Sequence, residues 1–227
     1  MDTAAAESTV GIDVQAAGTG AKAPATMPLV ITIAREYGSG GREIGERLAA
    51  RLGIAYYDKV LLSKIADKSG MASEVVESLD EKNPSFMFFN PSRFFAGTFG
   101  DTLPGQIHAA EVELIRSLAQ EKPSVMVGRC IDSLLDEHSN VVRLFINAPL
   151  DDRIHRVMKR NDLNAEDALA RIRHIDKERA NYYRYMSDRK WGFAPNYDLC
   201  LNSAAVGIEG SVDMIVSFLE KAGKLPL

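Results

Sequence analysis

The stretch Leu29-Val-Ile-Thr-Ile-Ala-Arg-Glu-Tyr-Gly-Ser-Gly-Gly-Arg-Glu-Ile-Gly45 limits what this chain can fold into more than any other. Apolar, β-branched residues run to Ala34, glycines follow at 38, 40 and 41, and the segment 43–52 then places Ile44, Leu48 and Leu52 at helical spacing. A strand, a tight turn and a helix in that order make a βα unit. Glycine lets a main chain close without a Cβ in the way, and the N–H groups of a helix's first turn have no intrahelical partner. The junction therefore has the chemistry of an anion site.

Laid on the phosphate-loop pattern G-x-x-x-x-G-K-[ST], Glu36-Tyr-Gly38-Ser-Gly40-Gly41-Arg42-Glu43 keeps the second Gly. Arg42 replaces the Lys, Glu36 the first Gly and Glu43 the Ser/Thr. The competing reading of such a turn is a plain α/β connection. Arg42 still brings a permanent charge and several donors to the place where a Lys reaches phosphate. Glu43 suits the positive end of a helix, but it repels a bound triphosphate unless it faces away or meets a Mg²⁺ ion.

A chain of 227 residues with 46% hydrophobic content supports one sizeable domain. The formal net charge of −4 carries no broad basic footprint, so nucleic acid is not an expected partner. No segment approaches the ~20 apolar residues of a membrane span. Cys130 and Cys200 are too few for a disulfide framework and read as small buried thiols in a reduced, cytoplasmic setting.

Residues 1–27, rich in Ala, Gly and Thr and without periodicity, read as a disordered tail, with Met27 a candidate start of the working protein, and residues 28–227 as a single domain. Within it, Ile54–Asp58 reads as a second strand ending on an acid, and 59–68 as a helix carrying Lys59 and Lys64. Ser73 caps a further short helix. From Lys82 to Pro104 helix breakers recur, while six of the nine Phe fall between 86 and 99. A hydrophobic cluster under a long connection, a flap over an acceptor site and a homodimer contact are all open readings of that segment.

The segment 106–120 is amphipathic and leads into Ser124-Val-Met-Val-Gly-Arg129, a buried parallel strand that delivers Arg129 at its carboxyl end. Ligands of open α/β sheets sit at that edge. Val141–Asn147 is a fourth strand, followed by helices over about 150–160 and from Asn164, where Asp167 completes a cap-like pair. Arg173, Asp176 and Arg179 recur at i, i+3 on one side of the second helix, as surface ion pairs or as ligand contacts. Tyr197–Ser203 is a fifth strand, and 206–222 a closing helix. Alternation of this kind predicts an α/β fold, a mostly parallel sheet of about five strands with helices on both faces.

At this point the chain resembles the cytidylate kinase-like branch of the P-loop nucleoside monophosphate kinases. The resemblance rests on Ile33–Gly45, Tyr57-Asp58, Val127-Gly-Arg-Cys130, Asp176-Lys-Glu-Arg-Ala-Asn-Tyr-Tyr183 and Tyr197–Ser203. It implies a three-layer P-loop NTPase-type domain with an acceptor-side insertion over 58–121 and an Arg-bearing lid over 164–195. Gly38, Ser39, Gly40, Gly41, Arg42, Glu43 and Ile44 would hold the ATP phosphates, with Mg²⁺ held mainly by those phosphates and water, and no dedicated protein metal site is expected. Arg129 would meet the acceptor phosphate, Asp58, Lys59 and Lys64 would lie beside the acceptor nucleotide, and Arg173, Asp176 and Arg179 would serve the lid and its phosphate clamps. Arg42, Arg129, Arg173 and Arg179 are the residues expected to stabilise transferring charge. The family pattern carries Asp after the Arg matched by Arg129, where this chain has Cys130, and Lys59 and Lys64 stand where Ser and Arg are expected.

The implied activity is transfer of the γ-phosphate of ATP to a nucleoside monophosphate, CMP or dCMP, with small-molecule nucleotides as partners. The alternatives are an ATP-dependent kinase of another small acceptor, and a nucleotide-binding module whose transfer is weakened by Glu36 and Glu43.

Overall fold

The computed structural model describes residues 27–58, 103–128 and 130–225. Lys59, Lys64, the Phe-rich segment, Arg129 and most of the expected acceptor-side insertion lie outside the described residues. The described elements are β1 (Val30–Arg35), α1 (Gly41–Leu52), β2 (Ala55–Asp58), α2 (Leu103–Glu121), β3 (Ser124–Val127), α3 (Ile131–Leu134), β4 (Val141–Asn147), α4 (Leu150–Asn161), α5 (Ala165–Ser187), β5 (Leu199–Asn202) and α6 (Ser203–Lys221).

The five strands form one sheet in the order β2-β3-β1-β4-β5, with every pairing parallel. All five carboxyl ends therefore share one edge. The central position of β1, between β3 and β4, puts the glycine-rich turn in the middle of that edge, at the crevice where open α/β sheets take ligands.

Strand periodicity decides the layers. Ile31 and Ile33 on β1, Val125 and Val127 on β3, and Val142, Leu144 and Ile146 on β4 share one core with Ile44 and Leu48 of α1 and Val212, Ile215 and Leu219 of α6. Val30, Met126 and Val141 point the other way, into a core with Ile115 and Leu118 of α2 and Ile131 of α3. The sheet is thus covered on both faces, as a near-continuous apolar parallel sheet requires. At Gly45 a Cβ would lie 2.5 Å from Val127 Cγ2, so α1 crosses β3 at a separation only glycine permits there.

Several boundaries differ from the sequence expectation, each for a local reason. Helix α1 starts at Gly41, because Gly40 with φ 85° already turns the chain into the first turn. The short α3 was not expected, and its four residues are too few for periodicity to register. The closing helix begins at Ser203 and is interrupted at Gly207, whose φ of 70° and ψ of −176° are not helical. Asn164 caps α5 as anticipated, its side chain accepting the Asp167 N–H at 2.8 Å. Cys130 is buried, but Cys200 is exposed, correcting the expectation of two buried thiols. Alternation on the edge strand β5 turns Leu201 into the core and leaves Cys200 on the less covered face.

Candidate active site

The turn between β1 and α1 is held from four sides. The Glu36 N–H donates to Ile146 O at 3.0 Å, continuing the β1–β4 ladder by one residue. Ser39, fully buried, closes the turn on itself, with its N–H 3.3 Å and its hydroxyl 2.9 Å from Glu36 O. Ser203 at the start of α6 donates its hydroxyl to Ser39 O at 2.5 Å and lies 3.2 Å from Asn147 O. Gly38 and Gly40 take φ values of 84° and 85°, left-handed conformations that disfavour a side chain.

Helices α4 and α5 supply the other fastenings. Asp176 accepts the Tyr37 N–H through Oδ1 at 2.8 Å and pairs through Oδ2 with Arg153 Nη1 at 2.5 Å. Arg153, nearly buried, also donates to Tyr37 O at 3.3 Å, and its Nε stands 3.6 Å from Glu36 Oε2. Arg179 Nη1 donates to Arg35 O at 2.8 Å, and its guanidinium lies 5.6 Å from the centre of the Tyr37 ring. Buried ions of this sort persist only when paired and hydrogen-bonded, and here each charge meets an opposite charge or a carbonyl.

Both carboxylates that threatened an anion are engaged elsewhere. Glu36 Oε2 accepts the Ala148 N–H at 3.1 Å and faces Arg153. Glu43 pairs with Arg47 at 2.8 Å, one turn along α1, and stands 3.8 Å from Arg156 of α4. The first rung of α1 is Ile44 N–H to Gly40 O at 3.0 Å, so the N–H groups of Gly41, Arg42 and Glu43 precede the ladder. A rigid turn with those donors, the positive end of α1 and Arg42 beside it has the donor chemistry of a polyphosphate cradle.

Arg42 is 53% exposed, and its Nη2 bonds Asp58 Oδ2 at 2.7 Å, while Asp58 is almost buried at the end of β2. The Tyr56 hydroxyl lies 3.4 Å from the same Asp58 oxygen and 3.5 Å from Arg42 O. Burial, followed by the charge of Asp58, pushes the Tyr56 phenol up to about 12.

A cleft of about 420 Å³ adjoins the turn, bordered by Gly38, Ala148, Arg156, Lys159, Ser203 and Gly207 among others. Sequence reasoning passed over Arg153, Arg156 and Lys159, although they recur at i, i+3 along α4 in the pattern that drew attention to Arg173, Asp176 and Arg179. Of those three, Arg179 and Asp176 come together beside the turn, with Nη1 and Oδ1 4.0 Å apart, and Arg173, one turn nearer the start of α5, is exposed.

Behind the β3 edge, Cys130 adopts φ 61° and its Sγ lies 2.9 Å from Ser133 Oγ. Burial pushes its thiol up to about 12, so it is neutral at physiological pH. Asp132, two residues on, is buried and accepts the Tyr183 hydroxyl at 2.7 Å.

A parallel α/β sheet with a fastened glycine-rich turn at the carboxyl end of its central strand is the architecture of the P-loop kinase-type fold. The chain belongs to the cytidylate kinase-like family, whose model matches residues 30–205. Membership places it among the kinase-like phosphotransferases. The cytidylate kinase of Pyrococcus horikoshii is 24% identical over 187 residues, covering 80% of this chain and 83% of that protein. That of Methanopyrus kandleri is 26% identical over 186 residues, covering 79% and 86%. Among solved structures, an uncharacterized protein from Eubacterium ventriosum is similar at a TM-score of 0.65 and 27% identity, covering 85% of this chain and 98% of that one. The shikimate kinase of Bacteroides thetaiotaomicron shares the fold, at a TM-score of 0.50 and 14% identity, with coverage of 85% and 98%. No helix among the described residues is long and apolar enough to cross a membrane.

Proposed function

We propose that this protein transfers the γ-phosphate of ATP to a nucleoside monophosphate, CMP or dCMP, releasing ADP and the nucleoside diphosphate. The observation that carries this reading is the fastened turn Gly38–Gly41, with both flanking carboxylates paired, Glu36 with the Ala148 N–H and Arg153 and Glu43 with Arg47, and Arg42 at its rim. An oxygen of the acceptor phosphate attacks the γ-phosphorus, and the bond from that phosphorus to the β–γ bridging oxygen breaks. No covalent intermediate on the protein is needed, so catalysis reduces to alignment and positive charge on the moving group.

The backbone of residues 38–44 holds the donor phosphates and Arg42 meets the transferring one. Arg129 contacts the acceptor phosphate, Lys59 and Lys64 flank the acceptor, and the arginines of α5 complete the clamp. Mg²⁺, when bound, neutralises charge on the phosphate oxygens and is held mainly by them and by water. Arg156 and Lys159, beside the cleft next to Gly38, suit the donor nucleotide.

Cys130 favours a second reading, a different small acceptor. Its neutral thiol, turned to Ser133, does not replace the carboxylate expected there for cytidine. ADP release measured against CMP, dCMP, UMP, AMP, GMP and non-nucleotide acceptors separates the two. Highest turnover with CMP or dCMP is expected. Turnover confined to a non-nucleotide acceptor supports the second reading, and ATP binding without any turnover overturns both.

A further inference from the structure

We propose that Asp58 is the positioning residue for Arg42, holding its guanidinium at the rim of the glycine-rich turn so that the donor loop and strand β2 act as one unit. The inference rests on the phosphotransfer reading above and gives Asp58 a different task from acceptor binding.

The geometry begins with the strand order. Asp58 ends β2, which is separated from β1 by β3, whereas Arg42 is the second residue of the helix that follows β1. The Nη2–Oδ2 contact of 2.7 Å therefore reaches across the carboxyl edge of β3. Side-chain exposures of 7% for Asp58 and 53% for Arg42 show which partner sets the position. The carboxylate is fixed by the sheet end, where Asp58 is in register with Val127, and the arginine is the long, adjustable arm. Tyr56 flanks both, its hydroxyl within 3.5 Å of Asp58 and of the Arg42 carbonyl, and it stays a protonated donor through neutral pH.

This pairing also accounts for arginine where the phosphate-loop pattern has lysine. A guanidinium is a rigid fork of five N–H donors that can bond a carboxylate along one edge and an anion along another. An ammonium on a flexible stem is a point charge, and a buried carboxylate nearby would compete with phosphate for it. In this chain the carboxylate orients the cation instead of capturing it.

The test is a double-mutant cycle on Asp58→Asn and Arg42→Lys, read as kcat, as KM for ATP and for the acceptor, and as the dissociation constant for ATP by calorimetry. Expected for Asp58→Asn is a fall in kcat of about tenfold or more with acceptor KM changed by less than about twofold. In the Arg42→Lys background the same change should cost less than about threefold, because the group it positions is already altered. Additive losses overturn the proposal, and so does a raised acceptor KM at unchanged kcat, which would make Asp58 an acceptor contact. A lowered unfolding temperature with wild-type kcat leaves only a structural role and overturns it as well. If Asp58→Asn does not fold, Asp58→Glu keeps the charge, moves it by one methylene and carries the same cycle. Wild-type protein that turns over no acceptor would refute the kinase reading alone, since the cycle on ATP affinity still reports whether the two residues are coupled.

Discussion

Asp176 accepts the backbone N–H of Tyr37 at 2.8 Å, so a helix 139 residues further along the chain fixes the start of the glycine-rich turn. Its other oxygen pairs with the nearly buried Arg153 at 2.5 Å. Asp176 and Arg179, two members of the i, i+3 row on α5, are therefore also fastenings of the turn.

Removing that carboxylate leaves Arg153 with Glu36 as its acidic neighbour, at 3.6 Å. Asp176→Ala should destabilise by about 3 kcal/mol, the scale of breaking a buried ion pair, with kcat falling as the turn loosens. Asp176→Asn should cost less, because an amide oxygen can still accept from Tyr37. Urea unfolding and steady-state kinetics on both variants check this, and equal losses in the two would contradict it.

The two arginines on either side of Asp176 should separate. Arg179 bonds Arg35 O at 2.8 Å in a partly buried position, so Arg179→Ala is expected to destabilise by about 1.5–3 kcal/mol, the scale of a hydrogen bond from a charged donor. Arg173 is exposed, and Arg173→Ala should move stability by less than about 0.5 kcal/mol. Any drop in kcat for that variant then reports a ligand contact in a closed state and not a folding defect.

Arg42→Ala should lose about 3 kcal/mol of transition-state stabilisation while the fold persists, since the side chain is largely exposed. Circular dichroism and kcat measured on the same preparation decide it. An unchanged kcat would remove Arg42 from the reaction.

Tyr183 donates to Asp132 at 2.7 Å in the buried layer between α3 and α5. Burial raises the Asp132 carboxyl above its ordinary 3.8, with the Tyr183 bond acting in the opposite direction. A raised folded-state pKa means that the folded chain binds the proton more tightly than the unfolded chain between the two values. Asp132 thus contributes most below its unfolded pKa, and that contribution is lost as pH rises through the folded one. Wild-type stability should fall over this window, and Asp132→Asn, whose amide oxygen still accepts from Tyr183, should lack that part of the slope. Denaturant unfolding across the acid range of both proteins tests the sign, and parallel profiles would refute it.

Much of the fold was legible in the chain because the strands carry their own signals. Val30–Arg35, Val141–Asn147 and Ser124–Val127 are apolar runs whose alternate residues must be covered on both faces, and that alone implies a parallel sheet between helices. The glycines at 38, 40 and 41 announced the tight turn, because Gly38 and Gly40 take left-handed conformations that glycine adopts without cost and a Cβ at Gly41 would lie 2.7 Å from Arg35 Cβ. Sequence could not show most of what holds that turn, since apart from the local Ser39–Glu36 bonds its fastenings are long-range: the row of Asp176 and Arg179 stood out on its helix, but nothing local tied that row, Arg153 or Ser203 to the turn. Nor could it show that Glu36 and Glu43 are paired with Arg153 and Arg47, or that Arg42 meets Asp58. Which charges neutralise one another depends on the strand order β2-β3-β1-β4-β5, and local pattern carries the period of an element but not its neighbours in the sheet.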